Sequence, residues 1–215
     1  MGLMLLVTGL LFLWTRVVLR REVEREAMES FLAFGRAVEL RFPGYAGESR
    51  RVLSLSERLG QAAGLSRDAQ RRLAIAARLR DIGMCTIPYA MRNEKPEILW
   101  NEEERTIFQE HPMHGANMVE QLPSVAEAAS AIRWHHQPFA TPNTFADAPS
   151  GKSIPIEARI LALVTDIALI ERFGGDRGVD QQLVAERGRQ YDPDLCDYLC
   201  AMLDSERGER LNRNS

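Results

Sequence analysis

Apolar residues recur every three or four positions along most of the chain, a spacing typical of helices that bury one face. No stretch outside the loops shows the alternating pattern of a strand. Ser66 and Asn101, the latter followed by Glu104, are predicted to cap two of the helices. The sequence therefore predicts an all-α fold, with helices over 49–63, 67–79, 102–121, 124–136, 156–173 and 194–203.

Residues 2–19 are apolar apart from two threonines and Arg16, and as a helix they would extend roughly 27 Å. This nearly crosses a bilayer if Arg16 reaches the headgroups. A cleaved signal peptide is one alternative, but a basic start and an Ala-x-Ala site are missing. A buried core helix is another, although the segment is apolar on all sides. We expect a transmembrane or signal-anchor helix.

Arginines follow this segment at positions 20, 21 and 25. By the positive-inside rule they place the rest of the chain in the cytoplasm, so we expect a single-pass protein of a bacterial inner membrane. The predicted division is an anchor helix over 1–20, a connecting amphipathic helix over 21–43, a helical domain over 44–204 and a polar, fraying tail over 205–215. The connecting helix is either a dimerising stalk or the first packing helix of the domain.

Composition excludes some classes of function. The chain has 215 residues, 45% of them hydrophobic, and a formal net charge of -3, which suits one helical domain with an appendage. That charge gives no general attraction to a nucleic acid polymer. Three cysteines without a Cys-x-x-Cys pair indicate neither a disulfide framework nor a thiolate zinc site.

The residues that could carry chemistry are concentrated between positions 78 and 136. This stretch contains Asp81 and all four histidines of the chain, His111, His114, His135 and His136. Imidazole and carboxylate groups from separated helices are suitable ligands for a divalent metal. His114 lies three residues after His111 and is expected at the surface.

Ordered motifs over about residues 48–200 carry a resemblance to a known family. The segment Arg80-Asp-Ile-Gly-Met-Cys-Thr-Ile-Pro88 resembles the family sequence His-Asp-Ile-Gly-Lys-Ile-Gly-Ile-Pro. Gln190-Tyr-Asp-Pro193 is similar to its closing Gln-Phe-Asp-Pro. Further matches are Lys95-Pro96, 110–116, His135-His136 and 154–166. The family is the HD superfamily of metal-dependent phosphohydrolases, in particular the HD-GYP branch, which cleaves cyclic di-GMP; it implies a helical HD bundle.

The resemblance implies two metal positions that share one aspartate. The second position would use Asp81, His111, His135 and His136, all of which are present. They imply one divalent ion, iron, manganese, nickel or zinc; a polar cavity without metal is the alternative. The residues at the first position are Glu48, Arg80, Asp81 and Asp166.

Three departures from the family pattern affect the implied activity. Arg80 replaces a histidine ligand with a permanent cation, and Glu48 replaces another histidine, so a salt bridge between them is one hypothesis and two solvated side chains the other. Met84 replaces a lysine near the substrate phosphate. The Gly-Tyr-Pro signature is missing from 137–146.

These departures leave three hypotheses for function. The leading one is a degenerate, membrane-anchored HD-GYP-like signalling domain that binds a cyclic dinucleotide or a signalling protein. A homodimer is compatible with this hypothesis. The second is an active metal-dependent phosphohydrolase, similar to a cyclic di-GMP phosphodiesterase, in which Glu48 is an unusual ligand and Asp81 a catalytic residue. The third is a structural module without a ligand.

Overall fold

The computed structural model describes residues 1–42, 47–95, 97–140 and 148–213. Over these ranges the chain is helical and has no strand, which confirms the all-α prediction. Pro96, the 43/44 domain boundary and most of the segment expected to carry the Gly-Tyr-Pro signature lie outside the described residues. The longer helices are α1 (Gly2–Leu13), α2 (Arg20–Leu40), α3 (Glu48–Ala62), α4 (Arg67–Leu79), α6 (Glu102–Glu120), α8 (Ile156–Glu186) and α9 (Pro193–Arg213).

Two shorter helices, α5 (Tyr89–Asn93) and α7 (Ala129–Arg133), complete the set, with 3₁₀ turns at Ile82–Thr86, Glu97–Leu99, Ala126–Ala128 and Gly151–Ser153. Both predicted caps are present. The Ser66 hydroxyl accepts a hydrogen bond from the Ala69 N–H. Asn101 and Glu104 form a reciprocal capping box at the start of α6.

The amino-terminal helix is long and apolar enough to cross a membrane. Together α1, a π-helical turn at Trp14–Leu19 and α2 form a 39-residue helix with a window of mean hydropathy 2.0 that is not buried by the rest of the chain. No residue of α1 is buried. Its apolar surface therefore has no packing partner within the described residues.

The second half of α2 packs on the domain. Met28, Phe31 and Leu32 lie against the main core, and Val38 is 4% exposed. Gly35 allows the close approach, since a Cβ there would lie 3.1 Å from Leu79 Cδ2 and 3.2 Å from the Arg78 carbonyl oxygen. The connecting helix is predicted to be either a dimerising stalk or the first packing helix of the domain, and its second half packs as the latter.

The main core joins α3, α4, α7, α8 and α9. Aliphatic side chains fill it, among them Val52, Leu55, Leu59, Leu73, Leu79, Ile132, Leu163, Val164, Leu183 and Leu199. A smaller cluster contains Val38, Phe42, Met84, Ile87, Met91 and Trp100. Met84 is 5% exposed and packs in this second cluster, where the family has a charged lysine.

Several helix ends differ from the sequence predictions, among them the start of α7, which is Ala129 rather than residue 124. Helix α7 ends at Arg133 rather than residue 136, because the His135 Nδ1 donates a hydrogen bond to the Ile132 carbonyl, which a longer helix would need for its own backbone. Helix α8 continues to Glu186 through two consecutive glycines, since Val179 and Leu183 remain buried in the core. The expected fraying tail is helical to Arg213. There the Arg207 guanidinium contacts Asp180 of α8 at 2.9 Å.

Gly83 sets the distance between the 3₁₀ turn Ile82–Thr86 and α6. A Cβ at this position would lie 1.9 Å from the His111 carbonyl oxygen and 2.6 Å from the Gly115 nitrogen. Since both atoms belong to the backbone, no side-chain rotation can relieve the overlap. This turn therefore approaches α6 only with glycine at position 83.

We expect Gly83→Ala to destabilise the domain by about 3 kcal/mol or more, because the turn and α6 must separate. Thermal unfolding of the full chain in detergent, followed by circular dichroism, measures the effect. Gly208→Ala is the matched control: its added Cβ meets no atom within 4 Å, and helix propensity favours it slightly. Equal stability of the two variants would contradict the prediction.

Candidate metal centre

Three of the four histidines meet at one place. His111 lies on α6, and His135 and His136 follow the end of α7. One ligand atom from each imidazole lies within 4.8 Å of the others. His111 and His135 are fully buried, whereas His136 is exposed at the edge of the group. His114 contacts Glu110 at 3.8 Å and is partly exposed, outside this histidine cluster.

A proline in α6 orients His111. Pro112 has no N–H to donate to the carbonyl of Phe108 one turn earlier, so that oxygen remains free. The His111 Nδ1 forms a hydrogen bond with this Phe108 oxygen at 2.6 Å. Since a carbonyl only accepts, Nδ1 carries the proton and Nε2 keeps its lone pair.

The end of α7 orients His135 in the same way. Carbonyls of a last helical turn have no N–H partner from their own helix. The His135 Nδ1 donates to the Ile132 oxygen at 2.7 Å, which again leaves Nε2 with a lone pair. The Nε2 atoms of His111 and His135 are both buried and have no hydrogen-bond partner among the described residues.

Asp81 faces these two unpartnered nitrogens. Its Oδ1 lies 3.7 Å from His111 Nε2 and 3.9 Å from His135 Nε2. These distances are too long for hydrogen bonds. The aspartate follows α4 and is held by the turn that Gly83 brings against α6. Buried polar atoms are rarely left without partners, and imidazole nitrogens beside a carboxylate suit a divalent ion.

The electrostatics of the cluster favour neutral imidazoles. Burial lowers the pKa of His111, although Asp81 partly opposes the shift. Burial and the neighbouring His136 lower the pKa of His135 well below its usual value. Desolvation by the surrounding protein and the neighbouring His111 lower the pKa of His136 to about 4, and the carboxylates of Asp166 and Asp81 partly oppose the shift. Neutral imidazole is the form that binds metal.

Arg80 occupies the region of the first metal position. It is 1% exposed, and its Nη2 lies 3.0 Å from Glu48 Oε1 and 3.0 Å from Asp81 Oδ2. Its Nη1 donates to the Ala77 carbonyl at 2.9 Å. The predicted Glu48–Arg80 ion pair is therefore present, and neither side chain is solvated. Burial raises the pKa of Glu48, and the guanidinium opposes that shift.

Asp166, on α8, is engaged by a residue that the sequence analysis did not single out. The Tyr191 hydroxyl donates to Asp166 Oδ2 at 2.8 Å. Burial raises the pKa of Asp166, and this hydrogen bond partly reverses the effect. The pKa of Tyr191 is raised by burial and by the Asp166 charge. The signal was in the sequence, since tyrosine stands here where the family motif has phenylalanine.

The first metal position thus does not fit an ion, whereas the histidine cluster does. At the first position a guanidinium stands in place of an imidazole, and both aspartates already have a partner from the protein. At the cluster, two buried nitrogens are unpaired beside a carboxylate. The fourth histidine of the sequence, His114, belongs to neither place.

Sequence relatives agree with this architecture. Residues 33–195 match the family described as HD domain. The cyclic di-GMP phosphodiesterase response regulator RpfG of Xanthomonas campestris pv. campestris is 29% identical over 188 residues, which cover 83% of this chain and 48% of RpfG. The 3'3'-cGAMP-specific phosphodiesterase 2 of Vibrio cholerae is 28% identical over 192 residues, covering 83% of this chain and 35% of that protein. The matched part of the chain covers less than half of the length of each of these two relatives.

Solved structures share the fold. A cyclic GMP-AMP specific phosphodiesterase of V. cholerae superposes with a TM-score of 0.67 at 16% identity, covering 84% of this chain and 49% of the other. The PgpH HD domain of L. monocytogenes, in complex with cyclic-di-AMP, superposes with a TM-score of 0.55 at 17% sequence identity. The superposition covers 80% of this chain and 96% of the PgpH domain. The family match, the sequence relatives and the shared fold confirm the resemblance to the HD family that the sequence motifs indicate. The chain belongs to the HD domain family, whose phosphohydrolases depend on metal.

Proposed function

We propose that this chain is a membrane-anchored HD-type signalling domain that binds a cyclic dinucleotide at a one-metal centre and lacks full cyclic di-GMP phosphodiesterase activity. The observation that carries the proposal is the buried Arg80 guanidinium beside Asp81, next to three clustered histidines. It supports a site that retains metal and phosphate binding while missing the second ion.

The proposed metal ligands are Asp81, His111, His135 and His136. Two of these side chains present fixed, unprotonated Nε2 atoms that have no other partner within the described residues. A bound divalent ion would supply positive charge to a phosphate oxygen. Backbone carbonyls of this chain orient the imidazoles, as the hydrogen-bond partners of metal-binding histidines do in metal sites generally.

Reduced activity is proposed from charge. Phosphodiester cleavage in this family uses a pair of metal ions to activate water and to neutralise the phosphate. Arg80 cannot lose its charge near neutral pH, and at a few ångströms it repels a second divalent ion by several kcal/mol at an effective dielectric near 20. Met84 is buried in an apolar cluster and offers no charge to the substrate. Both features weaken transition-state stabilisation.

The ligand class is proposed from the relatives. Two sequence relatives are described as phosphodiesterases of cyclic di-GMP and of 3'3'-cGAMP, and one solved structure with the same fold contains cyclic-di-AMP. All three ligands are cyclic dinucleotides with two phosphates. A site with one divalent ion can contact one of them directly. A signalling protein as the sole partner, and full turnover, are the competing outcomes.

Membrane anchoring is proposed from α1. Its leucines and Phe12 are exposed, with no packing partner among the described residues. A bilayer is the environment in which such a helix is stable, since every backbone group is bonded within the helix. By the positive-inside rule, the arginines after it favour the cytoplasmic side of a bacterial inner membrane for the domain.

Metal content is the first test. The full chain, purified in detergent and loaded with Mn²⁺ or Fe²⁺, is expected to hold about one equivalent by elemental analysis. His135→Ala should lower the affinity more than about a hundredfold, since even a residue that only hydrogen-bonds to a metal ligand contributes about 10- to 100-fold. His114→Ala, outside the cluster, should keep the metal. Equal loss in both variants would contradict the assigned ligands.

Cyclic dinucleotide binding and hydrolysis form the second test. Isothermal titration of the metal-loaded chain with cyclic di-GMP should show binding that disappears in His135→Ala, because the phosphate then has no ion to contact. Product analysis should show little or no linear dinucleotide. Rapid hydrolysis would replace this proposal with an active phosphodiesterase, and no binding would leave a protein partner as the remaining ligand.

Removal of residues 2–19 tests the anchor. In bacterial cells the full chain should sediment with membranes and resist extraction by high salt or carbonate, whereas the truncated chain should be in the soluble fraction. Trp14→Ala, which removes one aromatic side chain but keeps the apolar length, should stay in the membrane. A full chain released by carbonate would contradict a transmembrane anchor.

A further inference from the structure

Both aspartates at the first metal position have a hydrogen-bond donor from the protein itself. Arg80 Nη2 contacts Asp81 Oδ2 and Glu48 Oε1, each at 3.0 Å. On the opposite side, the Tyr191 hydroxyl donates to Asp166 Oδ2 at 2.8 Å. A metal ion at this position would need the same carboxylate oxygens, so the protein donors compete with it directly.

The direction of the Tyr191 hydrogen bond is fixed by a third residue. Gln182 Nε2 donates to the Tyr191 oxygen at 3.2 Å, which occupies an acceptor site on that oxygen. The hydroxyl hydrogen is then free to point at Asp166. Tyr191 is 1% exposed, so water does not compete for it. Asp166 is thereby held by the segment after α8 rather than left free as a ligand.

Arg80 is equally confined. Its Nη1 is bonded to the Ala77 carbonyl of its own helix, and its Nη2 is shared between two carboxylates. An unpaired guanidinium at this depth would be strongly destabilising, so Glu48 and Asp81 must stay beside it. The position links α3 to the end of α4, the connection that a shared metal would otherwise make.

We propose that Arg80, Glu48 and Tyr191 together replace the first metal ion, so that this HD domain holds one divalent ion and is cross-linked at the other position by its own side chains. The inference rests on the metal centre proposed above and assigns Tyr191 as a positioning residue. Formal charge agrees with it. One arginine against the carboxylates of Glu48, Asp81 and Asp166 leaves a charge of minus two, which a single divalent ion balances.

Metal stoichiometry of a reverted chain tests this inference. The full chain in detergent is stripped with a chelator and loaded with Mn²⁺, and bound metal is measured after equilibrium dialysis. The wild type should bind one equivalent and the triple variant Glu48→His, Arg80→His, Tyr191→Phe should bind two. The control, Arg51→His with Glu171→His, replaces a different ion pair, between α3 and α8, by two histidines and should bind one equivalent.

The outcomes separate this inference from the metal centre itself. Two equivalents in the wild type, or no gain in a folded triple variant, would overturn the replacement. A wild type without metal would refute the proposed centre; the replacement then stands only if the triple variant gains an equivalent that the control does not.

A single conservative variant decides the case if the triple variant does not fold. Tyr191→Phe frees Asp166 for an ion at the first position, so Mn²⁺ titrated beyond the first equivalent should bind about tenfold more tightly than it does to the wild type, while the metal-free chain unfolds a few degrees lower. Tyr198→Phe, on the exposed side of α9, is the control and should change neither quantity. Unchanged Mn²⁺ affinity in Tyr191→Phe would show that the hydroxyl does not withhold Asp166.

Discussion

The buried ion pair between Arg80 and Glu48 is the interaction on which the rest of the site depends. Arg80 directly follows α4 and Glu48 begins α3, so the pair joins the two helices beside Asp81, the carboxylate that faces the histidines. A charge at 1% exposure is tolerated only with close partners. Its two carboxylates satisfy that requirement, and one of them, Asp81, is also the carboxylate nearest the histidine cluster.

Breaks in helices create the other half of the site. Pro112 removes one backbone donor within α6, and α7 stops before His135. Each break leaves a carbonyl that an imidazole Nδ1 then uses. The same local event therefore orients the ring, fixes its tautomer and leaves Nε2 facing Asp81. Secondary structure is weakened at both places, and the ligand geometry is gained there.

Close packing transmits these local arrangements to one another. Gly83 brings the turn after Asp81 onto the backbone of α6 at His111, so the aspartate is held close to this histidine. The segment after α8 is bonded back to α8 through Tyr191, which fixes Asp166 from the far side. We infer that the departures from the family pattern form one connected alteration of the site rather than separate losses of ligands.

The sequence by itself determined the helical class, the two amino-terminal caps and the family, because spacing, capping residues and ordered motifs are local signals. It also placed Asp81, His111, His135 and His136 in one candidate site. Only the tertiary structure decided that Glu48 faces Arg80 rather than solvent, that α8 continues through its glycines and that Tyr191 bonds Asp166. Each of these depends on contacts between residues far apart in the chain, where burial and packing outweigh local propensity.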